Sequence, residues 1–225
     1  MRIRRRMCLI TAFIVFSVIL AACGRKPATP TEVTQQFLEA VKSKDSETIK
    51  KVYAKEDFAL TSDNMVPGDD TDKDPEEGTS EETAGDSLSK ENKQLMEEKL
   101  LDFDYVVETE KIDVYKATVD VTITTYKFAD AYSNFFTEYM KEAFSMAFSG
   151  ASEKEIDEKM NAVFKDEIEK LTKKESKKKG RLSLSKKEDQ WVIDEIPEDS
   201  DFMDAITGGM VSFVKNFNDA LKGDE

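Results

Sequence analysis

Ten consecutive residues constrain the architecture most. Lys116 to Thr125 reads Lys-Ala-Thr-Val-Asp-Val-Thr-Ile-Thr-Thr, with Ala117, Val119, Val121 and Ile123 alternating against Thr118, Asp120, Thr122 and Thr124. A period of two, rich in β-branched residues, belongs to a strand with one buried face and one wet face. Phe103, Tyr105 and Val107 repeat the pattern upstream. The two segments read as an antiparallel pair, with the turn near Lys111 to Asp113. A second hairpin is expected further on. Gly180 opens its first strand, Leu182 and Leu184 alternate with Ser183 and Ser185, Lys187-Glu188-Asp189-Gln190 turns the chain, and Trp191, Ile193 and Ile196 return. One-sided strands must be covered, and the rest of the chain supplies helices for the purpose.

Helical spacing places Val33, Phe37, Leu38 and Val41 on one face of a helix starting at Thr31, with Glu32 in its first turn. Asp45 or Ser46 caps a short second helix with Ile49, Val52 and Tyr53. Leu95, Met96 and Leu100 mark a third. A long helix over about 128–148 carries Tyr132, Phe135, Phe136, Tyr139, Met140, Ala143, Phe144 and Ala147. Gly150 ends it. Ser152 and Glu155 form a capping box for the next helix, whose apolar face is Ile156, Met160, Val163, Phe164, Ile168 and Leu171. Ser200 caps a last helix with Phe202, Ile206, Met210, Phe213 and Phe217. Gly208 and Gly209 interrupt it, which points to close approach to the sheet, or to a kink. The expected fold is α+β: two hairpins packed on one face by the 128–171 helices and the N-terminal helices. Trp191, Val119, Val121, Ile123, Leu182, Leu184 and Phe136 are the expected core.

The N-terminus carries an address. Arg2, Arg4, Arg5 and Arg6 precede an apolar run over 7–20, too short to span a bilayer comfortably and right for a signal segment. It ends in Leu20-Ala21-Ala22-Cys23-Gly24, which resembles a bacterial lipobox. The resemblance implies a diacylglyceryl thioether anchor on Cys23 and cleavage between Ala22 and Cys23. Residues 1–22 then form a signal peptide, 23–30 the lipidated cysteine and its tether, and 31–225 one α+β domain. Both Cys are spent in that reading, Cys8 removed and Cys23 capped, so no disulfide braces the domain. Within it, 62–88 is dense in Asp and Glu and almost devoid of apolar residues. Such a segment buries too little surface to offset its ordering entropy and is expected to form a flexible loop.

The order of further motifs is informative. Phe-Leu-Glu-Ala-Val-Lys-Ser-Lys-Asp at 37–45 is followed by Lys-Ala-Thr-Val-Asp-Val at 116–121. Then come Lys-Lys-Glu-Asp-Gln-Trp-Val-Ile-Asp at 186–194 and Asp-Ala-Ile-Thr-Gly-Gly at 204–209. With the lipobox, this order resembles lipoproteins of Gram-positive bacteria that carry a domain of unknown function. The resemblance implies a cystatin-like or nuclear-transport-factor-two-like fold. Its hairpin pattern, Lys-x-Asp-Gly-x-Trp-x-Ile-Asp, has Gln190 here in place of the turn glycine. It implies no catalytic residues.

The chemistry on offer is sparse. The chain has no His, which removes the usual general base and the usual zinc ligand. Ser87-Leu88-Ser89-Lys90 and Ser183-Leu184-Ser185-Lys186 match Ser-x-x-Lys, and Ser62-Asp63-Asn64 matches its companion. However, Lys-Thr-Gly is absent, and Ser183 falls on a strand rather than opening a helix. Asp70, Asp72, Asp74 and Glu81 have calcium-loop spacing, but Pro75 stands where the loop needs glycine. Asp120 is expected on the solvent face, and Tyr105, Tyr115 and Tyr126 are read as packing residues with satisfied hydroxyls. The segment from Lys170 to Lys187 holds eight Lys and Arg181 against Glu175. Within it Lys174, Lys177, Lys178, Lys179 and Arg181 offer an anionic-surface contact, set against the plainer reading of a solvated edge guarded by lysines. A net charge of −14 argues against nucleic acid, and no cofactor is implied. The sequence therefore points to a lipid-anchored extracytoplasmic lipoprotein, held to the cell membrane through its acyl chain. It would bind an unknown protein or small-molecule partner without catalysis. An enzyme with a carboxylate and a Tyr in the sheet concavity is the competing reading.

Overall fold

The structure, a computed structural model, describes residues 27–61 and 88–222. The lipobox, the Ser62 and Ser87 motifs, the Asp70–Glu81 calcium spacing and the acidic segment up to residue 87 lie outside them. Leu88, assigned to the loop by composition, is buried.

The chain is α+β, built on a four-stranded antiparallel sheet in the order β1-β2-β3-β4. The strands are β1 (Asp104–Asp113), β2 (Lys116–Thr125), β3 (Ser176–Lys187) and β4 (Gln190–Ile193). Three helices precede the sheet: α1 (Pro30–Ser43), α2 (Ser46–Val52) and α3 (Lys90–Leu101). Between β2 and β3 run α4 (Phe128–Ser149) and α5 (Glu153–Glu169), and α6 (Asp201–Ile206) and α7 (Met210–Lys222) follow β4. Ala117, Val119, Val121, Ile123, Leu182, Leu184, Ile193 and Trp191 are all buried, as their alternation requires. α1 covers this face with Val33, Phe37, Leu38 and Val41, and α6 covers it with Phe202 and Ile206.

The helix ends follow their sequence signals. Thr29 and Glu32 form a capping box that starts α1, with Pro30 at its first position. Asp45 caps α2, and Ser152 with Glu155 caps α5. Asn92, buried on α3, donates to the backbone carbonyl of Asn161 on α5 at 2.8 Å and ties the two helices together.

Several expectations are corrected. The first hairpin turns at Val114-Tyr115, not at 111–113, because β1 pairs with β2 as far as Asp113↔Lys116. A bulge between Val107 and Glu110 inserts the extra residue that lengthens β1. β3 begins at Ser176, and Gly180 sits mid-strand opposite Val121. It is glycine because a Cβ there would lie 2.6 Å from the Cα of Phe202 on α6. In the second turn Glu188 and Asp189 have φ of 47° and 65°. The left-handed positions are therefore these two, and Gln190 is already in β4. The last helix is two helices, α6 and α7, broken at Gly208 and Gly209.

Phe136 is exposed rather than core, because α4 packs chiefly on α5 and α7 instead of wrapping the sheet. Phe128, Ala131 and Phe135 are its buried residues. Helical periodicity announces an apolar face without naming what covers it. Here α5 covers Phe135 through Phe164, while α7 runs beside α4 and sets Phe213 on Tyr132 and Phe217 on Phe136.

Gly208 combines φ +60° with a position where a Cβ would meet the Tyr126 carbonyl oxygen at 2.1 Å. Gly208→Ala should therefore destabilise the fold by about 2–4 kcal/mol, from overpacking and left-handed strain together, read as a lower urea midpoint at unchanged slope.

Candidate functional site

The sheet face away from α1 and α6 is polar by the same alternation that makes the other face apolar. β1 and β2 bring acids to it and β3 brings bases. Asp120 lies directly opposite Arg181 in the β2–β3 register, and the Arg181 Nε donates to its Oδ1 at 2.6 Å. The Thr109 hydroxyl donates to the other oxygen at 3.2 Å. Next to this pair Glu108 accepts from the Thr122 hydroxyl at 2.5 Å and from the Lys179 ammonium at 2.7 Å. The bulge is what turns Glu108 and Thr109 toward Asp120 and Thr122 together. Arg181 above all, then burial opposed by Thr109, sets the Asp120 carboxyl below its usual value, and Lys179 with Thr122 does the same for Glu108.

Other bases of the 170–187 segment are also paired. Lys174 reaches Asp102 at 2.6 Å and Asp104 at 3.2 Å. Lys178 donates to Asp204 Oδ2 at 2.6 Å, and the other Asp204 oxygen accepts the Ser212 N–H at 2.7 Å. Asp204 thus joins α6, β3 and the first turn of α7. Burial pushes its carboxyl up, yet Lys178 and Ser212 together hold it below the usual range. Lys170 binds Asp166 and Glu167. Of the five residues singled out in the sequence, Lys174, Lys178, Lys179 and Arg181 are engaged within the chain, and Lys177 has no salt-bridge partner among the described residues. Each exposed pair contributes little stability by itself. Their collective effect is to cancel the charge that the segment carries in the sequence.

The tyrosines divide. Tyr105 donates to Glu39 at 2.7 Å and Tyr126 to Asp102 at 2.7 Å, which satisfies both hydroxyls as expected. Tyr115 is instead exposed in the β1–β2 turn. The structure thus makes two Tyr–carboxylate pairs, and neither lines either of the two clefts described below. Burial raises the Tyr105 hydroxyl well above its ordinary value, and the Asp102 bond raises that of Tyr126. The buried Tyr132 is pushed up to about 12. A phenol that holds its proton so tightly is a poor general base near neutral pH. Ser183 is exposed mid-strand on β3 rather than at the start of a helix, as the sequence placed it.

One cleft of about 210 Å³ lies between α1, α2 and α3, lined by Val41, Ile49, Phe58, Leu60 and Leu101, with the Lys44–Glu97 pair at its rim. It falls below the usual size of a ligand pocket. A second, shallow groove of about 370 Å³ between α4 and α5 is polar, and the bond from Lys170 occupies its buried Glu167. Among the described residues no group of His, Cys, Asp and Glu is placed to hold a metal ion, and no helix is long and apolar enough to cross a membrane.

The α4 ridge is the feature that sequence reasoning misplaced. Phe136, Met140, Phe144 and Phe148 follow one another at four-residue spacing and are exposed, Phe148 by 91%. The spacing was legible, but whether another helix would cover it was not. Comparison with protein-family models, with curated proteins and with solved structures finds no match.

The depressed carboxyls fix the pH response. Asp102, Asp120, Asp204 and Glu108 titrate below their unfolded values, so the stability they add is complete above those values and is lost as pH falls through the folded ones. The melting temperature should hold steady down to the ordinary Glu value of 4.5, begin to fall there as Glu108 loses its contribution, and fall further below the ordinary Asp value of 3.8. Added salt should also lower it modestly at neutral pH.

Proposed function

We propose that the chain is a lipid-anchored extracytoplasmic lipoprotein that serves as a non-catalytic binding module. The anchor reading rests on the lipobox, Leu20-Ala21-Ala22-Cys23, behind an arginine-rich start. A cystatin-like or nuclear-transport-factor-two-like fold is part of the same reading. It is supported by the antiparallel β1–β4 sheet with α1 laid across one face.

The observation that carries the binding reading is the contrast between the sheet and α4. Val119, Val121, Ile123, Leu182 and Leu184 are sealed beneath α1 and α6, with at most 1% of their surface exposed. Among the described residues this face of the sheet is filled, which favours the binding reading over the competing enzyme one, whose Tyr–carboxylate pairs line neither of the two clefts described above. The Phe136–Phe148 ridge is the opposite case, a contiguous apolar strip left at the surface. A strip of this kind marks an interaction site, and aromatic side chains are favoured anchors of protein interfaces. The partner class is therefore a protein that presents an apolar surface of its own. The basic segment is a weaker candidate, since its charges are answered by Asp102, Asp120, Asp204 and Glu108.

Two measurements test this. In cells, labelled palmitate should enter the wild-type chain and not Cys23→Ala, and equal labelling of both would refute the anchor. A photo-crosslinking phenylalanine analogue at position 148 of the full chain should give a discrete adduct that Phe144→Ser diminishes. Absence of an adduct would refute the ridge. Phe144→Ser should change stability by less than about 0.5 kcal/mol, because an exposed side chain loses little packing on truncation.

A further inference from the structure

The β1–β2 turn is built against the usual preferences. A two-residue loop joins the strands at Val114-Tyr115, and Val114 has φ +38°. This left-handed region suits Gly, Asn or Asp and is an outlier for a β-branched side chain. The turn is also apolar where turns are polar. Ile112 is 54% exposed, Val114 70% and Tyr115 69%. Folding gives no reason for three such residues at a hairpin tip. Strain and exposure together point to a use outside the fold.

Position in the chain identifies that use. α1 crosses the sheet antiparallel to β1. Its Thr31 donates from the backbone N–H and the hydroxyl to Glu110 at 3.0 and 2.7 Å, and eight residues later Glu39 accepts from Tyr105. The start of α1 is therefore pinned beside Glu110, on the side of β1 that leads to the tip. The bulge makes this lock: it moves Glu110 into register with Val119, on the helix-covered face. Four residues of strand separate Glu110 from Val114, about 14 Å. Cys23 precedes Pro27, the first described residue, by four residues, a reach of at most about 14 Å. An acyl chain on Cys23 would thus bring the bilayer surface to the end of the domain that displays Ile112, Val114 and Tyr115.

The charge at this end agrees. Lys111, Lys116, Lys186 and Lys187 share this end of the sheet with Glu110, Asp113, Glu188 and Asp189, a balanced set on a chain of net charge −14; Lys186 pairs with Asp189 at 3.1 Å, and its N–H bonds the Tyr115 carbonyl at 2.8 Å to hold the two turns side by side. Arg25 and Lys26 add positive charge in the tether. An otherwise acidic protein can rest this end on an anionic surface without repulsion. Lysine stems, a tyrosine and two aliphatic side chains are the groups that partition into the headgroup boundary.

We infer that the Ile112–Tyr115 hairpin tip is a membrane-inserting foot, seating in the headgroup region of the phospholipid bilayer and fixing the orientation of the domain on it. This rests on the Cys23 anchor proposed above. The diacylglyceryl group implied at Cys23 carries two acyl chains, enough for stable attachment, so the second, apolar contact would serve chiefly to keep the domain and its α4 ridge in one orientation relative to the membrane.

The test uses the chain from Cys23 onward, which retains every described residue of the core. Cys23 is coupled chemically to a maleimide-bearing phospholipid in phosphatidylcholine vesicles with a minority of phosphatidylglycerol. The outcome then does not depend on acylation in cells, and failure of palmitate labelling is read separately. In a Trp191→Phe background, Val114→Trp should give a blue-shifted indole emission that brominated acyl chains quench at least twofold. Emission identical to that of the vesicle-free chain would overturn the proposal. The unsubstituted chain gives a second readout that needs no altered fold. Vesicle coupling should slow tryptic cleavage after Lys111 and Lys116 by about tenfold, equivalent to about 1.4 kcal/mol, and leave cleavage after Lys141 on α4 unchanged. Equal rates at both places, with and without vesicles, would likewise overturn it.

Discussion

α6 lies on the sheet at a distance that a single methyl group would forbid. A Cβ at Gly180 would come within 2.6 Å of the Phe202 Cα, and one at Gly208 within 2.1 Å of the Tyr126 carbonyl oxygen. Two glycines thus let a six-residue helix lie directly against β2 and β3, with Phe202 and Ile206 fully buried. Much of the fold follows from that seat. The left-handed backbone at Gly208 and Gly209 redirects the chain into α7, Asp204 ties α6 to Lys178 and to the first turn of α7, and α7 then runs beside α4. A helix this short has little intrinsic stability, so its position is set by the packing and not the reverse.

The two faces of the sheet solve opposite problems. One is closed by α1 and α6 and holds a continuous apolar core. The other must keep three strands in register under water, with no apolar cover. It does so by placing acids on β1 and β2 and bases on β3, so that register errors set like charges opposite one another. The strongly basic stretch of β3 is therefore complementary to its own neighbours. That is a structural use of a charge run that in linear form suggests an outside partner.

The apolar groups left over are not scattered. Apart from Val106 on the wet face of β1, those among the described residues occur on the free length of α4 and at the β1–β2 turn, and α4 departs from the end of β2 opposite that turn. A membrane-seated turn and a ridge leading away from the other end of the same strand would leave the ridge free to meet a partner.

Alternation and helical spacing were sufficient to place β2, the inward residues of β3 and β4, and the extents of α1, α4 and α5. Caps at Asp45, Ser152 and Ser200 were equally legible, because each depends on side-chain oxygens reaching a backbone N–H a few residues away. The lipobox, likewise, is a linear signal. What the chain alone left open depends on distant neighbours. Phe136 and Phe144 share a stripe with Phe135, yet only the placement of α5 and α7 decides which of them is buried. Gly180 looked like the start of a strand, and only the arrival of α6 shows why it sits in the middle of one. Lys178 and Arg181 looked like a free basic edge until Asp204 and Asp120 were brought beside them. Local periodicity records which face of an element is apolar, whereas the partner of that face is fixed by tertiary packing across tens of residues of intervening chain.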